Sequence, residues 1–178
     1  HRLLSLLLFF VCAGSLSAQA TYFVDPAGGN DAADGSQGTP FRTLGHALTT
    51  AGAGDAVSLR AGTYSGVLET FPIQLKNNVE VSAFDGEEPV FDGGGTGTLF
   101  RLAESVTLPT LFQGVTLTGC TVGIEIPPGT GVNGMTIQEC DFNNFADSGP
   151  GADDGFGILA VLDTGVDVPE VANLVFFK

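Results

Sequence analysis

Histidine is nearly missing from this chain: the 178 residues hold two, His1 and His46. With His1 in the leader, triads built on a histidine base and metal sites rich in imidazole are excluded. Basic residues are scarce as well. Six Lys and Arg stand against 20 Asp and Glu, a formal net charge of −14. Past the leader the cations are Arg42, Arg60, Lys76, Arg101 and Lys178 alone. Nucleic acid is thereby disfavoured as a partner, because phosphate contacts need clustered Lys and Arg. An acidic glycan is disfavoured in the same way, unless a cation bridges the like charges. The same acidity also serves simply to keep an exported protein soluble. No apolar run is long enough for a bilayer, which takes about 20 residues.

The longest such run, Leu3 to Val11, follows Arg2 and leads to Ala18-Gln19-Ala20. That is the pattern of a secretory signal with a small-residue cleavage site, so residues 1–20 read as a signal peptide and the mature chain starts at Thr21. Secretion to the periplasm, cell surface or medium is the expected localisation, with no membrane insertion once the signal is removed. Residues 21–178 suit one domain, expected as a monomer. Gly reaches 26 residues while apolar content stays at 43%, which marks turn-rich folded protein and not a disordered tail.

The centre of the pattern lies between Thr39 and Tyr64. Phe41, Leu44, Ala47, Leu48 and Ala51 recur at helical spacing, with Thr39 as N-cap, Pro40 at the first helical position and Gly52 past the end. A helix over 40–51 is predicted, a cap over the open N-terminal edge of a stack of strands. His46 lies off its apolar stripe and reads as solvated. Val57 and Leu59 then alternate with Ser58 and Arg60 as a half-buried strand, and Ala61-Gly62-Thr63 reads as a turn.

Short strands and turns continue from there, with no second convincing helix. Val79 to Phe84 and Pro89 to Asp92 read as strands. Gly114 to Cys120 matches Gly134 to Cys140 at a shift of 20 residues, and Asn173 to Phe176 repeats at a further 39. Gly123-Ile124-Glu125-Ile126 is echoed by Gly157-Ile158-Leu159-Ala160. Such a period predicts an all-β, parallel β-helix of about five or six coils. On this alignment Cys120 and Cys140 stack on successive coils, as a disulfide or as two thiols in an apolar ladder. Cys140 needs 14 more residues than Cys120 to reach its Gly-Ile strand, which predicts a loop insertion on one face. That loop offers Asp141, Asp147, Asp153 and Asp154 as oxygen ligands for Ca²⁺, and Phe142, Asn143, Asn144 and Phe145 as a sugar-binding set. A plain solvated acidic loop is the other reading. Asp25, Asn30, Asp31 and Asp34 form an earlier acidic loop, read either as turn formers or as a Ca²⁺ loop without EF-hand spacing.

Tyr22-Phe23-Val24-Asp25-Pro26, Gly35 to Leu44, Ala47-Leu48 and Gly54 to Tyr64 resemble the DUF1565-type opening of secreted right-handed parallel β-helix proteins, of the pectate-lyase-like superfamily. Phe71-Pro72-Ile73 with Leu75, and Val90 to Gly94, fit the same pattern, so the likeness runs over about 21–95. The resemblance implies a polysaccharide partner, with calcium-dependent polysaccharide lyases as the leading enzymatic relatives. No catalytic residue of such lyases carries over: their acid cluster beside a basic Lys or Arg has no match here. Nor has the hydrolase set of Asp, His and Arg-x-Lys. The expected function is a secreted polysaccharide-associated β-helix, part of a calcium-assisted lyase, or else a non-catalytic glycan-binding, adhesion or structural rod. The uncapped strand at 171–177 implies a longer parent protein.

Overall fold

The computed structural model describes residues 18–95 and 97–145 together with strands at 156–160, 171–172 and 175–177. Residues 1–17, within the segment 1–20 read as a signal peptide, lie outside these residues. No helix among the described residues is long and apolar enough to cross a membrane.

Strand β1 (Thr21–Val24) and helix α1 (Leu44–Thr50) precede the coils. The first coil is β2 (Ala56–Leu59), β3 (Gly62–Ser65) and β4 (Ile73–Leu75). The second is β5 (Glu80–Ala83), β6 (Pro89–Asp92) and β7 (Thr98–Leu102). The third is β8 (Thr110–Gln113), β9 (Thr116–Thr118) and β10 (Val122–Ile126). After β11 (Val132–Asn133) come β12 (Met135–Gln138), β13 (Asp141–Phe142) and β14 (Phe156–Ala160), then β15 (Val171–Ala172) and β16 (Val175–Phe177). The described strands pair in parallel from coil to coil, giving sheets β1-β2-β5-β8-β12-β16, β3-β6-β9-β13 and β4-β7-β10-β14 and the short pair β11-β15. The chain is a parallel β-solenoid with one short helix.

Alternation along each strand sends one row of apolar side chains inward from every sheet. Tyr22, Val57, Val81, Phe112 and Ile137 align on the first sheet. Tyr64, Phe91, Leu117 and Phe142 align on the second, and Ile73, Phe100, Ile124 and Ile158 on the third. Four rings join the faces: Tyr64 stacks on Phe91 at 4.7 Å, Phe91 meets Phe100 edge-on at 4.8 Å, and Phe100 meets Phe112 at 4.9 Å. All four are fully buried.

The repeat and the helix both depart from expectation. The apparent repeat of Gly114 to Cys120 in Gly134 to Cys140 matches strands of the same type on different faces. Met135 pairs with Thr110 and Asp141 with Thr116, so Gly134 to Cys140 lies over 109–115 and the coil is longer than the repeat. Both copies leave a glycine corner with the same in-out alternation, and that likeness carries no information about which face a strand joins. Coils are therefore longer and fewer than five or six. The Ile124–Ile158 register, by contrast, is that read from the sequence, whereas the 39-residue step from Thr136 to Val175 is one coil and not two periods of 20. Val122 pairs back to Thr98 and forward to Phe156, so the chain before β14 does carry an insertion, though a shorter one than the cysteine spacing implies.

The helix starts at Leu44 with Thr43 as N-cap, later than Thr39 implies. Phe41 is held extended: it bridges Val24, its N–H donates to Phe23 O, and its carbonyl accepts from Asp25 N. Loop 25–41 hydrogen-bonds along the free edge of β1, beside the helix. Helix α1 packs against β1, β2 and β4 with Leu44, Ala47 and Leu48 buried, as the spacing requires. Ala61 ends the turn expected there, and Gly62 and Thr63 already belong to β3.

Candidate functional site

The third sheet turns a polar row outward. Gln74, Arg101 and Glu125 align in register on β4, β7 and β10, each between two buried apolar neighbours. Parallel strands place such neighbours about 4.8 Å apart. Arg101 donates from a terminal nitrogen to Glu125 Oε1 at 2.8 Å. Its Nε is buried without a partner among the described residues, while the side chain as a whole stays 43% exposed. The guanidinium thus has a covered stem and an open tip. Hydrogen bonding to Glu125 and the charge of that carboxylate push the Arg101 pKa up, so it remains a cation and a donor. A groove of about 650 Å³ lies over the Arg101–Glu125 part of this row, and Gln74 lines the depression next to it. Phe71 and Pro72 form one wall, and Glu69, Thr70 and Thr98 join Arg101 and Glu125 in lining it.

Glu69 fixes that wall to the helix. It is 5% exposed, and its two oxygens accept from Leu44 N at 2.6 Å and Gly45 N at 3.1 Å, capping α1 from a distant point in the chain. Burial pushes its carboxyl up, against the two backbone donors that pull it down. A second depression of about 660 Å³ shares Thr70 and Pro72 with the groove and runs on toward Leu48 and Lys76. Lys76 Nζ donates to Ala51 O at the far end of the helix. The polar rim therefore continues from α1 across the first three coils.

A different groove, of about 430 Å³, follows the corner between the first and second sheets and is acidic. Glu87, Glu88, Glu139 and Asp141 line it. Glu87 accepts from Ala61 N and pairs with Arg60 at 3.6 Å, and Arg60 also lies over the Phe84 ring at 4.9 Å. Glu139 accepts from Gln113 Nε2 at 2.6 Å. No group of three His, Cys, Asp or Glu among the described residues is placed to hold a metal ion.

Of the residues singled out from sequence, Asp141 is exposed on that acidic corner, apart from the Arg101 groove. Phe142 pairs with Leu117 in the inward row, Phe145 stacks on Phe142 at 6.2 Å, and both are partly buried against the core, away from the Arg101 groove. Asn143 and Asn144 are exposed corner residues, the first donating its N–H to Leu117 O and the second accepting from Gly119 N. Asp147, Asp153 and Asp154 lie outside the described residues. His46 meets the Phe41 ring edge-on at 4.7 Å.

In the earlier loop the turn chemistry is visible. Asp25 accepts from Ala27 N and Gly28 N, Asn30 from Ala32 N, and Asp34 from Ser36 N and the Thr39 hydroxyl. Asp31 accepts from Arg42 N, Thr43 N and the Thr43 hydroxyl. Partial burial pulls the Asp31 carboxyl up, but these donors outweigh it and hold the pKa below the usual value. The Thr39 hydroxyl and the Ser36 N–H bring Asp34 down to about 2. A depressed folded pKa contributes stability above the unfolded value near 3.9, lost as pH falls through the folded value. Melting of the wild type should therefore drop between about pH 4 and pH 2, and Asp34→Asn should flatten that slope. Parallel curves for the two proteins would refute the assignment.

Cys120 and Cys140 are free and apart. The β9–β13 register sets Cys140 beside Val115, and Cys120 lies against Gly93. The disulfide therefore lacks the stacking it required. Burial, with Asp92 nearby, pushes the Cys120 thiol up to about 11. Burial raises Cys140 too, partly offset by hydrogen bonds from backbone groups at 114–115. Such thiols are inert as nucleophiles. Chain lacking residues 1–20 should react with a thiol reagent slowly when folded and show both thiols in denaturant without reductant. Loss of both under those conditions would restore the disulfide.

The row Gln74–Arg101–Glu125 and the Glu69 cap were missed in sequence. An apolar-polar-apolar triplet marks each strand, but nothing local says that these three triplets are neighbours.

The model of a family described as "Protein of unknown function (DUF1565)" matches residues 27–152. The chain belongs to the DUF1565 family. That match runs well beyond the opening segment, so the coils that bear the groove lie within the family's region. Among solved structures the DUF1565 chain is similar to a rhamnogalacturonan lyase, with a TM-score of 0.56 and 19% identity, over 89% of this chain and 50% of the other. The chain thus spans half the length of that structure, and the likeness is one of β-helix fold. No curated protein sequence matches it.

Proposed function

We propose that this protein is exported and holds polysaccharide along the row Gln74, Arg101 and Glu125, across the groove at Arg101 and Glu125 and the adjoining depression at Gln74. The observation that carries this reading is the polar row itself: one hydrogen-bonding side chain per coil, in register, beside the Phe71 and Pro72 wall. The named substrate of the structural neighbour, rhamnogalacturonan, supports a carbohydrate partner for this fold. An acidic polymer would need Ca²⁺ as a bridge, given the net charge of −14. Cleavage is proposed as β-elimination of a Ca²⁺-bridged acidic polymer first and hydrolysis second. The second reading, a non-catalytic glycan-binding rod, is favoured by one feature: Arg101 stays protonated beside Glu125 and cannot serve as the base an elimination needs.

Affinity electrophoresis of the full chain through gels cast with soluble polysaccharides tests the proposal. Retardation by at least one polymer, lost in Arg101→Ala, is expected; free migration through every gel would end the polysaccharide reading. Unsaturated products from a retarding polymer would decide for elimination over the rod. For calcium, the melting midpoint should rise with millimolar Ca²⁺ and fall back in chelator, since a ligand bound only by the folded state must stabilise it. An unchanged midpoint would remove calcium from the proposal.

A further inference from the structure

Resting on that glycan reading, we infer that without Ca²⁺ the groove selects a neutral, hydroxyl-rich polymer and rejects polyuronates, because the only cation on its polar row is already neutralised by Glu125. A uronate carboxylate needs an unpaired guanidinium or ammonium group. Arg101 is held by Glu125 at 2.8 Å and Arg60 pairs with Glu87 on another corner, while Lys76, bonded to Ala51 O, lines the neighbouring depression and not this groove. Glu69 adds a second carboxyl to the groove lining, so its formal balance is negative once Arg101 and Glu125 cancel. A uronate would therefore enter against like charge and compete with a formed ion pair.

The same arrangement suits a sugar diol. Glu125 offers acceptors and the Arg101 tip offers donors on adjacent strands, and charge-assisted hydrogen bonds to hydroxyls are among the stronger neutral-ligand contacts. Gln74, exposed one strand further on, supplies both a donor and an acceptor. Phe71, partly exposed, presents ring surface to the apolar face of a sugar. Gln74, Arg101 and Glu125 follow one another at the coil spacing, with the Phe71 ring beside the first coil, so successive sugars of an extended chain meet polar groups at a regular interval.

The experiment is calorimetric titration of the full chain with soluble galactan and with polygalacturonate, both in chelator. Galactan should bind, with little dependence on salt, and polygalacturonate should bind at least tenfold more weakly. Arg101→Ala and Gln74→Ala should each weaken galactan binding, the former about tenfold or more. Glu125→Gln keeps the shape and one hydrogen bond but frees the guanidinium charge. It should therefore gain affinity for polygalacturonate while losing some for galactan. Polygalacturonate binding as tight as galactan in the wild type would overturn the inference and leave the glycan reading standing. An unchanged preference in a folded Glu125→Gln would also overturn it. Failure of both polymers to bind would overturn the inference and, with free migration through the gels, the glycan reading too.

Discussion

Replacing Phe100 by alanine will cost about 3–5 kcal/mol of folding stability. Phe100 is fully buried on the third sheet, between Ile73 and Ile124 in its row, and its ring meets Phe91 of the second sheet and Phe112 of the first. It is where the three faces of the solenoid touch. Deleting the ring removes its transfer free energy and leaves a cavity that strands locked in register cannot collapse. Because coils in a solenoid are held mainly by their neighbours, a hole in the second coil should also uncouple the first from the third. Urea denaturation followed by circular dichroism should show a lower midpoint and a broader transition. The exposed Gln74→Ala on the same sheet should stay within about 0.5 kcal/mol of wild type. A Phe100→Ala loss below about 1 kcal/mol would mean that the ring contacts contribute far less than their burial implies.

The second large effect is expected at Gly29→Ala. A Cβ there would stand 2.0 Å from Phe41 O and 2.5 Å from Asp25 O. Both are backbone atoms, so no side chain can swing aside. The same atoms close the cap: Asp25 N donates to Phe41 O, Gly29 N to Asp25 O and Asn30 N to Pro40 O. Relief requires moving the loop off β1, which exposes that strand's unpaired edge to other chains. A loss of about 3 kcal/mol is expected, at the upper end for overpacking. At about 2–4 °C per kcal/mol for a chain of this size, melting should fall by roughly 6–12 °C. Aggregation on heating should increase. Gly38→Ala is the control, since a Cβ at 38 meets nothing within 4 Å. Equal melting of the two variants would show that the loop is not the cap.

The helix shows why local signals reached only part of the way. Thr39 and Pro40 are good start signals, and Phe41 falls on the buried stripe as the spacing requires. Yet the segment 39–42 is drawn out straight by Phe23 and Asp25, while Asp31 and Glu69 take the N–H groups of residues 42–45. Those partners are remote in the chain, and each satisfies a backbone donor that the local sequence would have satisfied with a helical turn. The cysteines fail for a related reason. Cys120 and Cys140 follow similar strands, but one strand is on the second sheet and the other on the first.

What this sequence determined by itself is the kind of structure: short strands alternating apolar and polar, glycine-rich corners, and a recurrence that only a parallel solenoid can satisfy. The inward rows follow directly, because alternation is a property of each strand alone. Tertiary structure decided which strand lies on which, since coil length varies with the loops, from the short step between Ala56 and Glu80 to the long one between Thr136 and Val175. It alone brought Gln74, Arg101 and Glu125 side by side. Their meeting depends on β4 lying on β7 and β7 on β10, and across a whole coil only the stacking of the coils themselves sets that register.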